Sequence, residues 1–413
     1  MAAKNMPFPL SVRIQHDSDS QMPLHLVVPG LTPPVTPTVE DDDSLSGSVA
    51  TIYSGSSSPF LSPVEGNFKD VPVEDRAVST FDSFTDELEY HCDARGRPLE
   101  FGRGVWSVVY KASPCQPSNA YPLTPPSSPA VKAHTVAVKS PARRDANSVL
   151  DAEALALTRV SRVAGSENHV VPFQGYIADS HSIVMSAVPL ALSTYIEEKA
   201  ATALKNRTTR TMFEPIQGMA QWHDLAKKLI TGLSWLHDGP RMVHGDIKPH
   251  NILLRARSSS DDAESDHFPY EPLFADFSSA HPIASASSPE ESMGTALTAL
   301  TPPFTAPELL SVSSLTSPDV APTPESDVFS LAVTLLAAAT GDLLLYPGTS
   351  HIQRLAMARE GHRVIEFARS GPNGSRVPRN GIVEQIIKPA IAKDPSQRIK
   401  PDEWVTLVQS IAI

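Results

Sequence analysis

The chain lacks the thiols that a disulfide framework needs, because only Cys92 and Cys115 occur among its 413 residues. Such scarcity favours a reducing compartment, and we expect a cytoplasmic or nuclear location. Long hydrophobic runs are also missing. The most apolar stretch, residues 329–348, is interrupted by Gly341 and Asp342, and the N-terminal residues hold no apolar core of signal-peptide length. We therefore predict that no segment spans a membrane.

Basic residues are in deficit, with 34 lysines and arginines against 46 acidic residues and a formal net charge of −12. Nucleic acid is therefore a disfavoured partner, because phosphate backbones bind to basic surfaces. A hydrophobic content of 41% still allows a globular core.

Proline is abundant, and its 39 residues are close to twice the usual share of roughly 5%. Residues 1–92 are rich in Ser, Pro, Thr and Asp and show no sustained periodicity. Such a composition cannot bury enough apolar surface to offset chain entropy, so we predict a disordered tail. Thr32, Thr36, Ser58 and Ser62 each precede a proline, and we interpret them as candidate sites for upstream proline-directed kinases.

Residues 93–413 have the pattern of a folded α+β domain. Strand-like runs dominate residues 93–188, and helical spacing dominates residues 189–413. We predict a small β-rich lobe followed by a larger helical lobe. Three polar insertions are too hydrophilic to pack a core, and they lie near residues 113–134, 255–272 and 311–326.

Short motifs in this domain carry groups suited to phosphate and metal. "FGRGVWSVVYK" includes Gly102 and Gly104, whose missing side chains let backbone amides approach phosphate oxygens. "VAVK" ends at Lys139, and the next predicted helix carries Glu153 on an apolar face, where a glutamate needs a cationic partner. "VHGDIKPHN" and "FADFSSA" add two carboxylates, a lysine and an asparagine.

Taken in order, and together with "LTPPFTAPELL", these motifs resemble the signature set of eukaryotic-type serine/threonine protein kinases. The resemblance runs from about residue 98 to the C-terminus. It implies a two-lobed fold, ATP and Mg²⁺ as cofactors, and protein substrates that accept a phosphoryl group on Ser or Thr. Thr301, five residues before Ala306, stands where such kinases place a threonine near the catalytic aspartate.

The resemblance also implies a role for each matching residue. Asp246 would orient the attacking hydroxyl and accept its proton, and Lys248 would neutralise the γ-phosphoryl group. Lys139 would pair with the α- and β-phosphates and be held by Glu153. The implied magnesium ligands are Asn251 and Asp276. The implied nucleotide-binding residues, including two hinge residues, are Gly102, Gly104, Ser107, Val109, Ala137, Lys139, Met185, Ala187, Val188 and Leu253.

Two longer-range contacts follow from the same resemblance. Glu308 would bury its charge against Arg398, and Asp327 would hydrogen-bond the backbone of the catalytic loop.

Three positions depart from the family pattern and keep two alternatives open. Gly245 replaces an arginine, and Ser107 and Ser278 replace glycines. "HGD" also occurs in aminoglycoside and choline phosphotransferases, but Lys248 and the Glu308 motif favour a protein substrate. A pseudokinase or scaffold is the second alternative, although the chain retains the four groups that the chemistry needs, namely Lys139, Asp246, Asn251 and Asp276.

Gly245 also motivates a hypothesis about regulation. An arginine at that position pairs with a phosphorylated residue of the activation segment. Without it, we expect activity to be independent of phosphorylation at Ser288, Ser292, Thr295 and Thr298.

Overall fold

A computed structural model of the protein describes residues 80–115, 135–206, 208–209, 211–257, 267–283, 301–311, 313–314 and 320–413. The predicted tail up to residue 79 and the phosphorylation candidates of the tail and activation segment lie outside these residues. The same holds for residues 116–134, 258–266, 312 and 315–319 of the three predicted insertions. In the described part of the chain, no helix is both long enough and apolar enough to cross a membrane.

An antiparallel sheet forms the first lobe. Its path is β1-β3-β4-β6-β5, and β2 also pairs with β3. Val136 and Val138 are fully buried on the central strand, as expected for β-branched residues covered on both faces of a sheet. The strands are β1 Leu88–Tyr90, β2 Glu100–Arg103, β3 Ser107–Pro114, β4 Val136–Pro141, β5 Phe173–Ile177 and β6 Ser182–Ser186.

One helix, α1 (Asn147–Ser161), packs against β4, β5 and β6 of this sheet. It buries Leu150, Leu157 and Val160 together with Glu153, which is the apolar face that the helical spacing predicts. The predicted amphipathic helix is therefore confirmed.

The second lobe is mainly helical and also contains a three-stranded sheet, in the order β10-β9-β7, and a two-stranded sheet of β8 and β11. Its helices are α2 Leu192–Lys205, α3 Met219–Asp238, α4 Pro324–Thr340, α5 His351–Arg359, α6 Val364–Ser370, α7 Ile382–Ile387 and α8 Pro401–Ser410. Its strands are β7 Leu190–Ala191, β8 Met242–Val243, β9 Ile252–Ala256, β10 Tyr270–Phe274 and β11 His281–Pro282.

Helix α4 is the centre of this lobe, and every residue from Ser326 to Thr340 is buried. Thr323 begins the helix with a capping box to Ser326, and Gly341 ends it in a left-handed conformation with φ of +74°. Both are typical helix-end signals. The prediction of a buried, non-membrane helix at this stretch is confirmed.

Two predicted boundaries need correction. Residues 80–92 were assigned to the tail, but β1 pairs with β3 from Leu88↔Pro114 to Tyr90↔Ala112. The insertion near 255–272 is shorter than predicted, since β9 extends to Ala256 and Phe268 is fully buried. Both segments look polar in sequence, and their partners lie on distant parts of the chain.

Candidate active site

The register of the first sheet gathers four predicted nucleotide-site residues on one face. Val109 lies opposite Lys139 on the neighbouring strand, and Ala137 lies opposite Met185. Residues directly opposite each other, or two apart on one strand, share a face of the sheet. Val109, Ala137, Lys139 and Met185 therefore point to the same side.

Lys139 is the centre of a buried charge cluster. Its Nζ donates to both carboxylate oxygens of Glu153 at 2.7 Å and to Oδ1 of Asp276 at 2.8 Å. Burial alone would lower the pKa of Lys139, but the two carboxylates outweigh it, so its pKa is raised and the group stays charged. The sequence prediction of a Lys139–Glu153 pair agrees with this geometry.

Asp276 joins this cluster from the second lobe. Burial acts to raise its pKa, but adjacent Lys139, helped by a hydrogen bond from Ser278, holds the pKa well below its usual range. Its side chain is still 39% exposed, so the ionised carboxylate is partly accessible. The next residue, Phe277, donates its backbone N–H to Glu153 at 3.2 Å, which ties the two lobes at this point.

A second polar group surrounds Asp246. Lys248 Nζ donates to its Oδ2 at 2.7 Å and to Thr301 Oγ1 at 3.1 Å. Asn251 Nδ2 donates to the backbone oxygen of Asp246 at 2.8 Å and to its Oδ2 at 2.9 Å. Burial raises the pKa of Asp246 to about 6, although Lys248 and Asn251 act in the opposite direction.

Asp327 holds the loop that carries Asp246. From the buried helix α4, its carboxylate accepts the backbone N–H groups of His244 at 2.7 Å and Gly245 at 2.9 Å, and His237 Nε2 lies 3.1 Å away. Burial acts against the charge, but the His237 contact and these hydrogen bonds hold the pKa of Asp327 below its usual value. A fixed anion thus orients the loop backbone, as predicted from the motif.

The predicted adenine-site residues meet where the two lobes join. Met185, Val188 and Leu253 belong to one small apolar cluster with Val171 and Leu273.

Of the two predicted hinge residues, Ala187 already uses its backbone N–H, which donates to Thr135 O at 3.4 Å. Its carbonyl and the backbone of Val188 are therefore the hinge groups that remain for a base.

The glycine-rich turn joins β2 to β3. Gly104 N–H donates to Ser107 O at 2.8 Å, and Ser107 is 5% exposed. A Cβ built at Gly102 would meet no atom within 4 Å, and one at Gly104 would only touch Ser107 at 3.7 Å. The protein's own packing therefore does not require these glycines, and the space beside them is open.

The family comparison agrees with this arrangement. The model of the protein kinase domain matches residues 129–407, well over half of the chain. The chain belongs to the protein kinase family. A protein kinase domain transfers phosphoryl groups to proteins with ATP and a divalent metal. No curated protein matches the chain significantly.

The matched residues of the protein kinase domain begin after the glycine-rich turn. In sequence, a segment near residues 116–134 separates this turn from Lys139. The structure unites them through the pairing of β3 with β4, in which Val109 lies opposite Lys139. The turn is thus part of the same kinase lobe.

Two residues of the kinase site suit a divalent cation. Asp276 offers an ionised carboxylate, and both side-chain hydrogen bonds of Asn251 use its amide nitrogen, which leaves its carbonyl oxygen as a ligand. Within the described residues, no three acidic, His or Cys side chains form a metal cluster. This small donor set fits Mg²⁺, which binds through one or two protein oxygens plus substrate phosphates and water.

Gly245 has a conformational role that our sequence analysis missed. Its φ is +80°, and a Cβ there would lie 2.6 Å from Ser279 O and 3.3 Å from Pro322. Glycine is the residue that adopts this conformation without strain. The glycine itself was the signal, but it was read only as the loss of an arginine contact.

Arg398, near the C-terminus of the kinase domain, contacts the segment that carries Glu308. Its guanidinium donates to both oxygens of Glu308 at 2.7 Å, to Glu325 O at 2.9 Å and to Ala392 O at 3.1 Å. This bidentate pair has the predicted partners. It anchors the segment that follows Thr301 to the helical lobe.

Proposed function

We propose that the protein transfers the γ-phosphoryl group of ATP to Ser or Thr hydroxyls of protein substrates in a Mg²⁺-dependent reaction, within intracellular signalling. The observation that carries this proposal is the contact of Lys139 with Glu153 and Asp276 at 2.7–2.8 Å. It joins groups from both lobes around an open carboxylate. Phosphoryl transfer depends mainly on such positioning and charge neutralisation.

In this mechanism Lys139 binds the α- and β-phosphates while Glu153 fixes its position. Asn251 and Asp276 would hold a magnesium ion, which would supply neutralisation of the phosphate charge. The backbone of Gly102, Gly104 and Ser107 covers the phosphates.

Asp246 acts on the substrate hydroxyl. With a pKa of about 6 its carboxylate is mainly ionised at neutral pH, so it can orient the hydroxyl and accept its proton. Lys248 lies between Asp246 and Thr301, from where its charge can stabilise the transferred group.

Thr301 supports a Ser/Thr acceptor. Its hydroxyl accepts from Lys248 at 3.1 Å, and its backbone N–H donates to Thr305 Oγ1 at 2.8 Å. This threonine therefore links the catalytic loop to the segment that ends at Glu308. A protein substrate is favoured over a small molecule, because the Glu308–Arg398 pair builds the platform on which a peptide would lie.

The test uses the full-length protein with Mg-ATP and a randomised peptide array that presents Ser, Thr and Tyr acceptors. Asp246→Asn and Lys139→Met should each lower transfer by at least about 10²-fold. The matched controls Asp238→Asn and Lys205→Met change exposed residues and should retain wild-type activity. Transfer to Tyr alone would contradict the Ser/Thr assignment.

A thermal-shift titration separates the enzyme from a scaffold. Mg-ATP should stabilise the wild-type protein, and Lys139→Met should weaken this effect by removing a phosphate contact. Stabilisation without phosphoryl transfer would identify a nucleotide-binding pseudokinase. Absence of both would overturn the proposal.

Regulation should not require phosphorylation of residues 284–300. The space that a side chain at residue 245 would need is occupied by Ser279 and Pro322. Neither of these residues carries the positive charge that would bind a phosphate. A variant with alanine at Ser288, Ser292, Thr295 and Thr298 should therefore keep its activity, and a large loss would contradict this reasoning.

A further inference from the structure

A short segment before β1 adds to the edge of the first sheet. We call residues 81–84 the strap. Tyr176 N–H donates to Asp82 O at 2.8 Å, and Phe84 N–H donates to Tyr176 O at 3.0 Å. Gly175 permits this approach, because a Cβ there would lie 2.8 Å from the nitrogen of Phe84. The strap is thus seated on β5 by backbone hydrogen bonds.

The strap also contacts the second half of α1. The backbone N–H of Asp82 donates to Thr158 Oγ1 at 3.4 Å, and Arg162 donates to the Asp82 carboxylate at 2.6 Å. Thr158 is fully buried. Glu153 lies on the same helix, five residues before Thr158. A shift of the C-terminal half of α1 would therefore move Glu153 as well.

Tyr176 links the strap to the first half of α1. Its ring lies against the ring of Phe81, with centroids 4.6 Å apart. Its hydroxyl donates to the carboxylate of Asp151 on α1 and lies 3.1 Å from Nδ1 of His181, which is itself 2.8 Å from Asp151. Phe81 therefore supports a side chain that holds α1 two residues before Glu153.

The chain around the strap also covers the outer face of the sheet. Phe84 and Leu88 pack on a cluster whose buried members are all fully inaccessible, namely Ala112, Val136, Val138 and Val184. This face lies opposite the one that carries Lys139, since successive residues of a strand point to opposite sides. The strap is therefore part of the lobe's core, although it lies outside the residues that match the family.

We propose that the strap is a positioning element for the Lys139–Glu153 pair, with Phe81 as its principal side chain. It fixes α1 at both halves, through Tyr176 and Asp151 and through Asp82 and Thr158, and so keeps the Glu153 carboxylate at 2.7 Å from Lys139. The consequence for catalysis rests on the proposed function, whereas the effect of the strap on the position of α1 does not depend on it.

The experiment compares Phe81→Ala with Tyr90→Ala in the full-length protein. Tyr90 is the matched control, because it is also a partly exposed aromatic residue before the glycine-rich turn, but its ring lies beside Tyr110, 6.1 Å between centroids. Amide hydrogen exchange is followed in α1 and in α3 without nucleotide, and kcat and KM for ATP are measured on the same samples.

In Phe81→Ala the α1 amides should exchange about tenfold faster, since the aromatic contact with Tyr176 is lost. The α3 amides should be unchanged, and Phe81→Leu should restore most of the protection in α1. In the same variant, kcat/KM for ATP in phosphoryl transfer should fall by about the same factor.

Unchanged α1 exchange in Phe81→Ala would overturn the proposal, and so would equal acceleration in α3 or in the Tyr90→Ala control. The exchange measurement needs no phosphoryl transfer. If the wild-type protein proves inactive, α1 exchange still decides whether the strap holds the helix, while the proposed function alone fails.

Discussion

Replacing Asp246 by asparagine should remove a loss of stability that the free protein suffers as the pH rises to neutral, while it abolishes phosphoryl transfer. The side chain of Asp246 is only 10% exposed, and burial raises its pKa to about 6 against an ordinary value of 3.8. The folded protein therefore binds this proton more tightly than the unfolded chain does. Ionising Asp246 at neutral pH costs folding free energy, and catalysis needs the ionised form.

The sign and size of this cost follow from proton linkage. Because the pKa is higher in the folded state, the stability from this group is present below about pH 4 and is lost as the pH rises through about 6. The full difference amounts to about 3 kcal/mol. About 1.5 kcal/mol of it develops between pH 5 and pH 7.5.

Asparagine has no proton to lose in this range. The stability of Asp246→Asn relative to wild type should therefore increase by about 1.5 kcal/mol from pH 5 to pH 7.5. Urea unfolding followed by tryptophan fluorescence, without nucleotide or divalent cation, measures this difference. Asp238→Asn is the control, because it removes one exposed carboxylate at the end of α3. A difference that stays constant or shrinks as the pH rises would refute the reasoning.

Three further predictions concern the surrounding scaffold. Gly245→Ala should lower the free energy of unfolding in urea by at least about 2 kcal/mol, because φ is positive and the added Cβ would lie 2.6 Å from Ser279 O. A loss below about 0.5 kcal/mol would show that the loop relaxes freely. Arg398→Lys should cost about 3 kcal/mol, because lysine cannot replace the bidentate contact with Glu308, and unchanged urea stability would contradict this. Glu153→Gln should raise KM for ATP and lower kcat, since Lys139 loses its ionic partner; steady-state kinetics tests it, and unaltered constants would exclude the positioning role.

Many residues of the candidate site were predictable because they lie in short sequence motifs. A glutamate on an apolar helix face needs a cation, and Lys139 at the end of a strand is available. Asp246, Lys248 and Asn251 meet because all three lie within six consecutive residues of one loop. Asn251 and Asp276 were predicted as metal ligands through the resemblance of their motifs to those of protein kinases.

Other features were missed because they depend on distant parts of the chain. Residues 80–92 were assigned to the tail, since no local pattern indicates that β3 accepts another strand. Phe268 lies in a polar insertion, and its burial depends on packing against Tyr195 and Tyr270. The backbone conformation at Gly245 likewise depends on Ser279 and Pro322.

The sequence by itself determined the two-lobed α+β class and the buried helix α4, which follow from periodicity, a local property. Its short motifs also predicted, through their resemblance to protein kinases, which groups would lie around phosphate and metal. Only the tertiary structure decided that the strap contacts α1, that Gly245 is required by its own backbone, and that burial raises the pKa of Asp246. Each of these depends on contacts between residues far apart in the chain, and such contacts exist only once the chain has folded.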